Sequence, residues 1–144
     1  MSVTIFDQNE ITVPAALPQL VRISGFIGKY LDEIQCPEKA RIYFRIAVDE
    51  VFSNIVRHSD AKKGDTVTVL VRTEEDPLSV VIMFRDEGPR FDPLAAAEPD
   101  VTASARKRRV GGLGLFMLKR IMDEVTYEYR DEQNILTIRK KINK

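Results

Sequence analysis

Apolar residues recur along this chain with two different periods, and each period predicts one kind of element. Between residues 18 and 34 the apolar side chains follow one another every three or four positions, which is the spacing of one helix face. They are Leu20, Ile23, Ile27 and Leu31. A second helix is predicted from Pro37, which suits a first helical turn, to His58, and Gly64 marks the exit from this segment. A third amphipathic run covers residues 116–125.

Strands are predicted where β-branched residues cluster or alternate with polar ones. The predicted strands cover residues 3–6, 11–13, 66–73, 78–84, 126–130 and 135–142. The last four form two hairpins, with turns at residues 74–77 and 131–134. This order of elements predicts an α+β fold, a two-layer α/β sandwich in which three helices cover one face of a mixed, mainly antiparallel sheet.

Composition narrows the function classes. A length of 144 residues predicts a single domain over residues 1–144. The 22 basic and 22 acidic side chains cancel, which argues against a nucleic-acid binder that relies on a broad positive field. With one cysteine and one histidine, an internal disulfide and a Cys/His zinc site are excluded. Neither a secretory leader nor an apolar stretch of bilayer length is found, so the expected location is the cytoplasm, away from the membrane.

A long segment without sustained periodicity precedes the third helix. Residues 88–110 contain three prolines, an alanine run and four consecutive basic residues at 106–109. This composition predicts a mobile loop, with a flexible lid at about residues 92–110. The basic run is interpreted either as a clamp for a phosphate or an acidic partner surface, or as a solvated loop.

A glycine-rich stretch opens directly onto the third helix. Its residues are Gly111, Gly112, Leu113, Gly114 and Leu115. Glycines let backbone amides approach a ligand, and the start of a helix presents unpaired N–H groups with partial positive charge. The stretch therefore predicts a phosphate site, with a plain flexible turn as the alternative. It is not a Walker loop, because no Gly-Lys-Ser/Thr follows, and Met117 replaces the last glycine of a dinucleotide fingerprint.

Two polar residues flank the apolar stripe of the second helix. The stripe consists of Phe44, Val48, Val51 and Ile55. Because Glu50 and Asn54 are four positions apart, they lie together at its edge, where either a ligand or a solvated flank accounts for them. An amide oxygen suits Mg²⁺, and a carboxylate one turn earlier suits the catalytic base of phosphoryl transfer. His58 continues the series and is predicted to be packed and hydrogen-bonded rather than catalytic.

Asp86 follows the fourth predicted strand directly. Its carboxylate can accept a hydrogen bond from an exocyclic amino group, while Gly88 leaves room for a base. Turn chemistry is the alternative, since Asp-x-Gly is common in loops.

Three clusters occur in a characteristic order: DEVFSNIVRH at residues 49–58, DEGPRFDP at 86–93 and GGLGL at 111–115. They resemble the N, G1 and G2 boxes of the GHKL ATPase superfamily. The small size, the Phe-Asp-Pro at residues 91–93 and the Met-Asp-Glu-Val at 122–125 are most similar to the bacterial anti-sigma factor serine kinases. The resemblance extends from the first helix to the final strand.

The resemblance implies a Bergerat-type, histidine-kinase-like ATPase fold that uses ATP and Mg²⁺. Glu50 is then the general base, Asn54 the Mg²⁺ ligand and Asp86 the contact to the adenine amino group, with Gly88 lining the base pocket. The phosphates meet the stretch Gly111, Gly112, Leu113, Gly114 and Leu115. Thr137 matches a late threonine near the adenine.

The resemblance also implies a function. In this family a protein-serine kinase binds a sigma factor and phosphorylates an anti-anti-sigma partner of the STAS type on serine, and the family pattern suggests a homodimer. Arg90 stands where the wider superfamily has a second glycine, which changes the pocket rim. It motivates the alternative of a regulator-sequestering module, with or without nucleotide, that has no kinase activity. The ATP-binding half of a histidine kinase is a third interpretation, disfavoured because no dimerisation helix with a phospho-acceptor histidine precedes the domain.

Overall fold

The computed structural model describes residues 9–96 and 112–142. The helices in this part of the chain are α1, Leu20–Glu33; α2, Glu38–Arg57; and α3, Gly112–Ile121. The strands are β1, Asn9–Pro14; β2, Thr66–Glu74; β3, Ser79–Asp86; β4, Glu124–Arg130; and β5, Gln133–Lys141. Short 3₁₀ turns cover Leu17–Gln19, Ala61–Lys63 and Pro93–Ala96. The strand predicted at residues 3–6 and most of the predicted lid lie outside the described residues.

The strands form one open sheet in the order β1-β2-β3-β5-β4, and every neighbouring pair is antiparallel. Alternate residues of each strand point into a core that they share with the three helices, for example Val69 of β2, Ile82 of β3 and Ile138 of β5. The predicted α+β sandwich is therefore confirmed. The described strands contain no parallel pair, so the sheet in this part is antiparallel rather than mixed.

Helix α2 lies between the other two helices and carries the predicted apolar stripe into the core. Phe44, Val48 and Val51 are almost completely buried, and burying a side chain of this size contributes about 1.5–3 kcal/mol. The helical period that buries Val51 also places Asn54 at the inner face, one turn before α2 ends. The packing of this helix thus carries a polar residue to the edge of the core.

Helix α3 begins and ends earlier than the sequence pattern predicted. It already starts at Gly112, within the glycine-rich stretch, and it stops at Ile121. The backbone N–H of Asp123 donates to the carbonyl of Arg139, and its carboxylate accepts from the N–H of Lys141, so both groups attach the chain to β5. Glu124 and Val125, predicted to be helical, therefore belong to β4.

The turn between β4 and β5 is shorter than predicted. It consists of Asp131 and Glu132 alone, both with positive φ, of 54° and 61°. A two-residue hairpin turn with this backbone matches the right-handed twist of the strands that it joins. Asn134, predicted to lie in the turn, is therefore a residue of β5, and it pairs with Asp86 of β3.

Candidate functional site

A cavity lies where the end of α2 meets the adjacent ends of β3, β5 and β4. Its walls include Asn54 and His58 from α2, Asp86 from β3, Tyr127 from β4 and Asn134 from β5. The cavity measures about 30 Å³, which is room for one or two water molecules. Two of the residues predicted from separate motifs, Asn54 and Asp86, thus converge on one space, although they are far apart in the chain.

Asp86 is the last residue of β3 and is only 9% exposed. Its Oδ1 accepts hydrogen bonds from the backbone N–H of Gly88 at 2.9 Å and from the side-chain amide of Asn134 at 3.1 Å. Burial raises the pKa of the Asp86 carboxyl, and these two hydrogen bonds act against the rise. The result is a fixed acceptor in the cavity wall, oriented from two sides.

Gly88 is buried directly beside this carboxylate. A Cβ atom at this position would lie 3.1 Å from Asp86 Oδ1 and 3.6 Å from the carbonyl oxygen of His58. A side chain here would therefore require the Asp86 carboxylate to move by a few tenths of an ångström. Gly88 lines a neighbouring open cleft of about 610 Å³, together with Arg57 and His58, rather than the small cavity itself.

Asn134 is a site residue that the sequence did not reveal. It is 7% exposed, and its amide nitrogen faces Asp86 Oδ1 as well as the carbonyl oxygens of Gly88, at 3.2 Å, and Pro89, at 3.0 Å. Its Oδ1 accepts from the N–H of Phe91, at 3.1 Å, and from the hydroxyl of Tyr127, at 2.5 Å. This residue connects β5 to the turn after β3. The only signal for it in the sequence was an asparagine close to a turn, which is ordinary turn chemistry.

Thr137 is not brought to the cavity. It lies three residues along β5 from Asn134, and residues an odd number apart on a strand face opposite sides of the sheet. Thr137 pairs with Met83 and Thr126 on the side away from the Asp86 acceptor. Asn134 and Leu136 are the residues of β5 that line the cavity.

Asn54 and Glu50 occupy the flank of α2 that the sequence predicted. Asn54 is 6% exposed, and its Oδ1 accepts a hydrogen bond of 3.1 Å from Nη2 of Arg57. Glu50 lies one turn earlier and is half-buried. Burial raises the pKa of the Glu50 carboxyl, the positive charge of Arg57 lowers it, and the negative charge of Asp49 raises it further. A raised pKa suits a group that must accept a proton near neutral pH.

The oxygen atoms of the protein at this site fit a magnesium ion only if phosphate oxygens of a bound nucleotide complete its coordination. Among the residues that the structure describes, no cluster of three or more His, Cys, Asp or Glu side chains is placed to hold a metal. The Asn54 amide oxygen, which already attracts the cation of Arg57, is a hard donor of the type that Mg²⁺ takes. Mg²⁺ keeps several waters and binds phosphate oxygens, so one protein oxygen in this place fits the way in which this ion is bound with a nucleotide.

The glycine-rich stretch is described from Gly112 onward. Gly112 is the first residue of α3, and Leu113, Gly114 and Leu115 follow in its first turn, where the backbone is described but the side chains are not; Gly111 lies outside the described residues. Helix α3 packs against α2. The structure thus packs the helix that begins in the glycine-rich stretch against the helix that carries Glu50 and Asn54.

His58 is exposed, which differs from its prediction, but its ring does pack on Phe91, with the ring centres 3.8 Å apart and the planes at 27°. Both rings line the cavity.

Arg90, the residue that departs from the superfamily pattern, lies with its guanidinium over the ring of Tyr129, 5.3 Å from the ring centre.

The described residues form a layer of three helices on an antiparallel sheet, with a buried acid at the end of one strand and an asparagine on the central helix. Residues 13–140 match the family of histidine kinase-like ATPase domains, so the chain belongs to this family. The resemblance to the GHKL ATPases found in the sequence is thereby confirmed.

Relatives of the chain include named kinases. A serine-protein kinase RsbW from Listeria monocytogenes is 36% identical over 104 residues, and the match covers 69% of this chain and 64% of the relative. The serine/threonine-protein kinase BtrW from Bordetella bronchiseptica is 27% identical over 100 residues, covering 69% and 70%. The matched part thus spans about two thirds of each relative.

Two solved structures share the fold. The RsbU and RsbW domains of a Mycobacterium tuberculosis protein match with a TM-score of 0.66 at 17% identity, over 95% of this chain and 33% of that one. The SiaB–SiaC complex from Pseudomonas aeruginosa matches with a TM-score of 0.59 at 18% identity, over 94% and 89%. Separately, no helix among the described residues has the length and apolar character needed to cross a membrane.

Proposed function

We propose that this chain is an ATP-dependent protein-serine kinase of a partner-switching system, which binds a sigma factor and phosphorylates a STAS-type anti-anti-sigma factor on serine. The observation that carries the proposal is the meeting of Asn54 and Asp86 at one cavity, with Glu50 one helical turn from Asn54. Membership of the ATPase family and the kinase names of the relatives support it.

One end of the site would recognise the adenine ring. Asp86 Oδ1 is held by Gly88 and Asn134, so the carboxylate has a fixed direction from which to accept the adenine amino group. A nucleobase with a carbonyl oxygen at the same place would set one hydrogen-bond acceptor against another, the carboxylate of Asp86. Because an unpaired buried polar group is costly, this arrangement would favour adenine over guanine.

The other end would receive the phosphates. Asn54 would hold Mg²⁺ through its amide oxygen, and the bound ion would neutralise charge on the phosphate oxygens. The stretch from Gly111 to Leu115, at the start of α3, would offer backbone N–H groups to the same phosphates. Arg57 donates to Asn54 Oδ1 and would share that oxygen with the ion or move away from it.

The transfer step needs a base close to the acceptor hydroxyl. The seryl oxygen of the partner would form a bond to the γ-phosphorus while the bond from that phosphorus to the β,γ-bridging oxygen breaks and ADP leaves. The Glu50 carboxylate would take the hydroxyl proton. Its raised pKa makes it a better proton acceptor than an ordinary surface glutamate.

A transfer assay with two matched variants tests this proposal. Glu50→Gln keeps the shape of the side chain and removes the base, and we expect the rate of phosphoryl transfer from ATP to a STAS-domain serine to fall about 10²- to 10⁴-fold. ATP binding measured by calorimetry should persist. Glu38→Gln, an exposed change in the first turn of the same helix, is the control and should leave both quantities unchanged. An unaltered transfer rate in Glu50→Gln would remove Glu50 from the mechanism.

A second function, sequestration of a regulator without kinase activity, is favoured by one observation. The cavity of about 30 Å³ is far smaller than the 300 Å³ or more of a typical ligand pocket. Calorimetry with Mg-ATP separates the two functions. Binding in the micromolar range supports the kinase, whereas no heat at millimolar nucleotide leaves sequestration alone.

A further inference from the structure

Two stacked rings line the small cavity. The ring of Phe91 lies on the ring of His58, with centres 3.8 Å apart and planes at 27°, in the same cavity that contains the Asp86 carboxylate. The space that remains, about 30 Å³, accepts water but no purine. A flat aromatic ring thus lines the same cavity as the proposed acceptor, Asp86.

Hydrogen bonds hold the segment that carries Phe91 before, beside and after the ring. At its start, the N–H of Gly88 donates to Asp86 Oδ1. Next to the ring, the N–H of Phe91 donates to Oδ1 of Asn134, whose amide nitrogen faces the carbonyls of Gly88 and Pro89. Beyond the ring, the carboxylate of Asp92 accepts from the N–H of Leu94 and caps the following turn. Phe91 is thus presented to His58 by a short turn, not by a regular element.

Exchange of this ring for a ligand base would conserve the interaction. Phe91 contributes a face-to-face contact to the His58 ring, and a nucleobase offers a flat π-face of the same kind. The cost of removing Phe91 from the stack is therefore largely returned when a base takes its place. The main-chain bond to Asn134 is the additional contact that such an exchange would strain.

We propose that Phe91 is an internal occupant of the nucleobase position, stacked on His58 in the resting protein, and that it leaves this position when a nucleotide binds. The inference rests on the proposed nucleotide function and adds the residue that controls entry of the base. The fraction of molecules with Phe91 displaced then sets the apparent affinity, because a ligand that binds only the open form is weakened by the population of the closed form.

Adenosine is the appropriate probe, since it carries the base but neither phosphate nor a need for Mg²⁺. Removing the ring with Phe91→Ala should tighten adenosine binding about three- to tenfold in calorimetry, the factor that corresponds to the loss of one aromatic pair. Val21→Ala is the control, because Val21 is 78% exposed on α1 and is not part of the cavity wall, so its adenosine affinity should equal that of the wild type. Weaker binding by Phe91→Ala would show that the ring is a permanent wall and would overturn the inference.

A second variant reports the movement itself. The chain contains no tryptophan, so Phe91→Trp introduces a single tryptophan in place of the ring that stacks on His58 in the resting protein. Saturation with adenosine should shift its emission to the red as the indole enters solvent, while Val21→Trp should show no shift. Emission of Phe91→Trp that stays unchanged at an adenosine concentration shown by calorimetry to saturate the protein would overturn the inference.

The two proposals fail in different ways. If the wild type binds Mg-ATP but Phe91→Ala binds adenosine more weakly, the nucleotide function stands and the displacement of Phe91 is wrong. If the wild type and both Phe91 variants bind neither adenosine nor Mg-ATP while thermal melts show them to be folded, the nucleotide function itself is wrong, and this inference falls with it.

Discussion

The side-chain amide of Asn134 donates to Oδ1 of Asp86 over 3.1 Å, across the paired strands β5 and β3, and both residues are more than nine-tenths buried. A carboxylate in such a place is costly unless it is hydrogen-bonded. The pair therefore explains how an acid is kept at the end of a core strand, and it links the stability of the domain to the orientation of its proposed base acceptor.

Removing Asn134 should cost stability. In Asn134→Ala, Asp86 loses a donor, and the turn from Gly88 to Phe91 loses the group that connects it to β5. We expect the free energy of unfolding in urea to fall by about 1–3 kcal/mol, the usual cost of leaving a buried polar group unpaired. Gln133→Ala, one residue earlier and on the other side of the sheet, is the control. Equal losses in the two variants would contradict this role of Asn134.

Asp86→Asn should separate stability from binding. The variant keeps an oxygen for the N–H of Gly88 and for Asn134 but removes a buried negative charge. Its affinity for adenosine should fall about tenfold or more, because a hydrogen bond to a charged acceptor is replaced by a neutral one of unfavourable orientation. A variant that binds adenosine as tightly as the wild type would exclude Asp86 from base recognition.

The difference in stability between Asp86→Asn and the wild type should depend on pH in a defined direction. Burial raises the pKa of Asp86 in the folded protein, so the folded state binds the proton more tightly than the unfolded state. Ionised Asp86 therefore destabilises the fold above that raised pKa, and the penalty is relieved as the pH falls through it. Asp86→Asn should be more stable than the wild type at pH 7, and the difference should shrink toward pH 4 in parallel denaturation series. A difference that grows on acidification would contradict the sign.

The amide of Asn54 should make nucleotide binding dependent on magnesium. In Asn54→Ala, affinity for Mg-ATP should fall at least about tenfold, as it does when even the outer contacts of a metal site are lost, while the affinity for metal-free ATP should change little. Calorimetry with and without Mg²⁺ measures both. Ser53→Ala, the preceding residue of α2, is the control. Equal losses with and without the ion would assign Asn54 to packing instead.

Arg57 should determine the pH below which the rate of phosphoryl transfer falls. Its positive charge lowers the pKa of Glu50, which burial otherwise raises. Replacing it with glutamine removes that charge, so the pKa of Glu50 rises and the base is protonated at a higher pH. The rate of phosphoryl transfer against pH should then lose its acid side at a higher pH in Arg57→Gln than in the wild type. Lys62→Gln, an exposed change in the turn after α2, should leave the profile in place.

The sequence predicted the parts of the site that depend on local periodicity. The spacing of Phe44, Val48 and Val51 fixes which side of α2 is buried, and Asn54 follows from the same period. Asp86 was predicted at a strand end because the β-branched run stops there, and it is the last residue of β3.

The parts that depend on pairing across the sheet could not be predicted. Thr137 and Asn134 differ by an odd number of residues, and only the register of β5 against β3 decides which of them faces the cavity. The predicted turn was two residues too long, which hid Asn134 within it. The stack of His58 on Phe91 joins two segments far apart in the chain, and no local pattern encodes it.

The pairing of β3 with β5 has a consequence for biosynthesis. Asp86 and Asn134 are 48 positions apart, and they become neighbours only when the C-terminal hairpin docks against strands made much earlier. Closing so long a loop is entropically costly and precedes the contacts that reward it. A nascent chain is therefore unable to assemble the pair until β5 has left the ribosome, so partly synthesised molecules would lack the proposed nucleotide site.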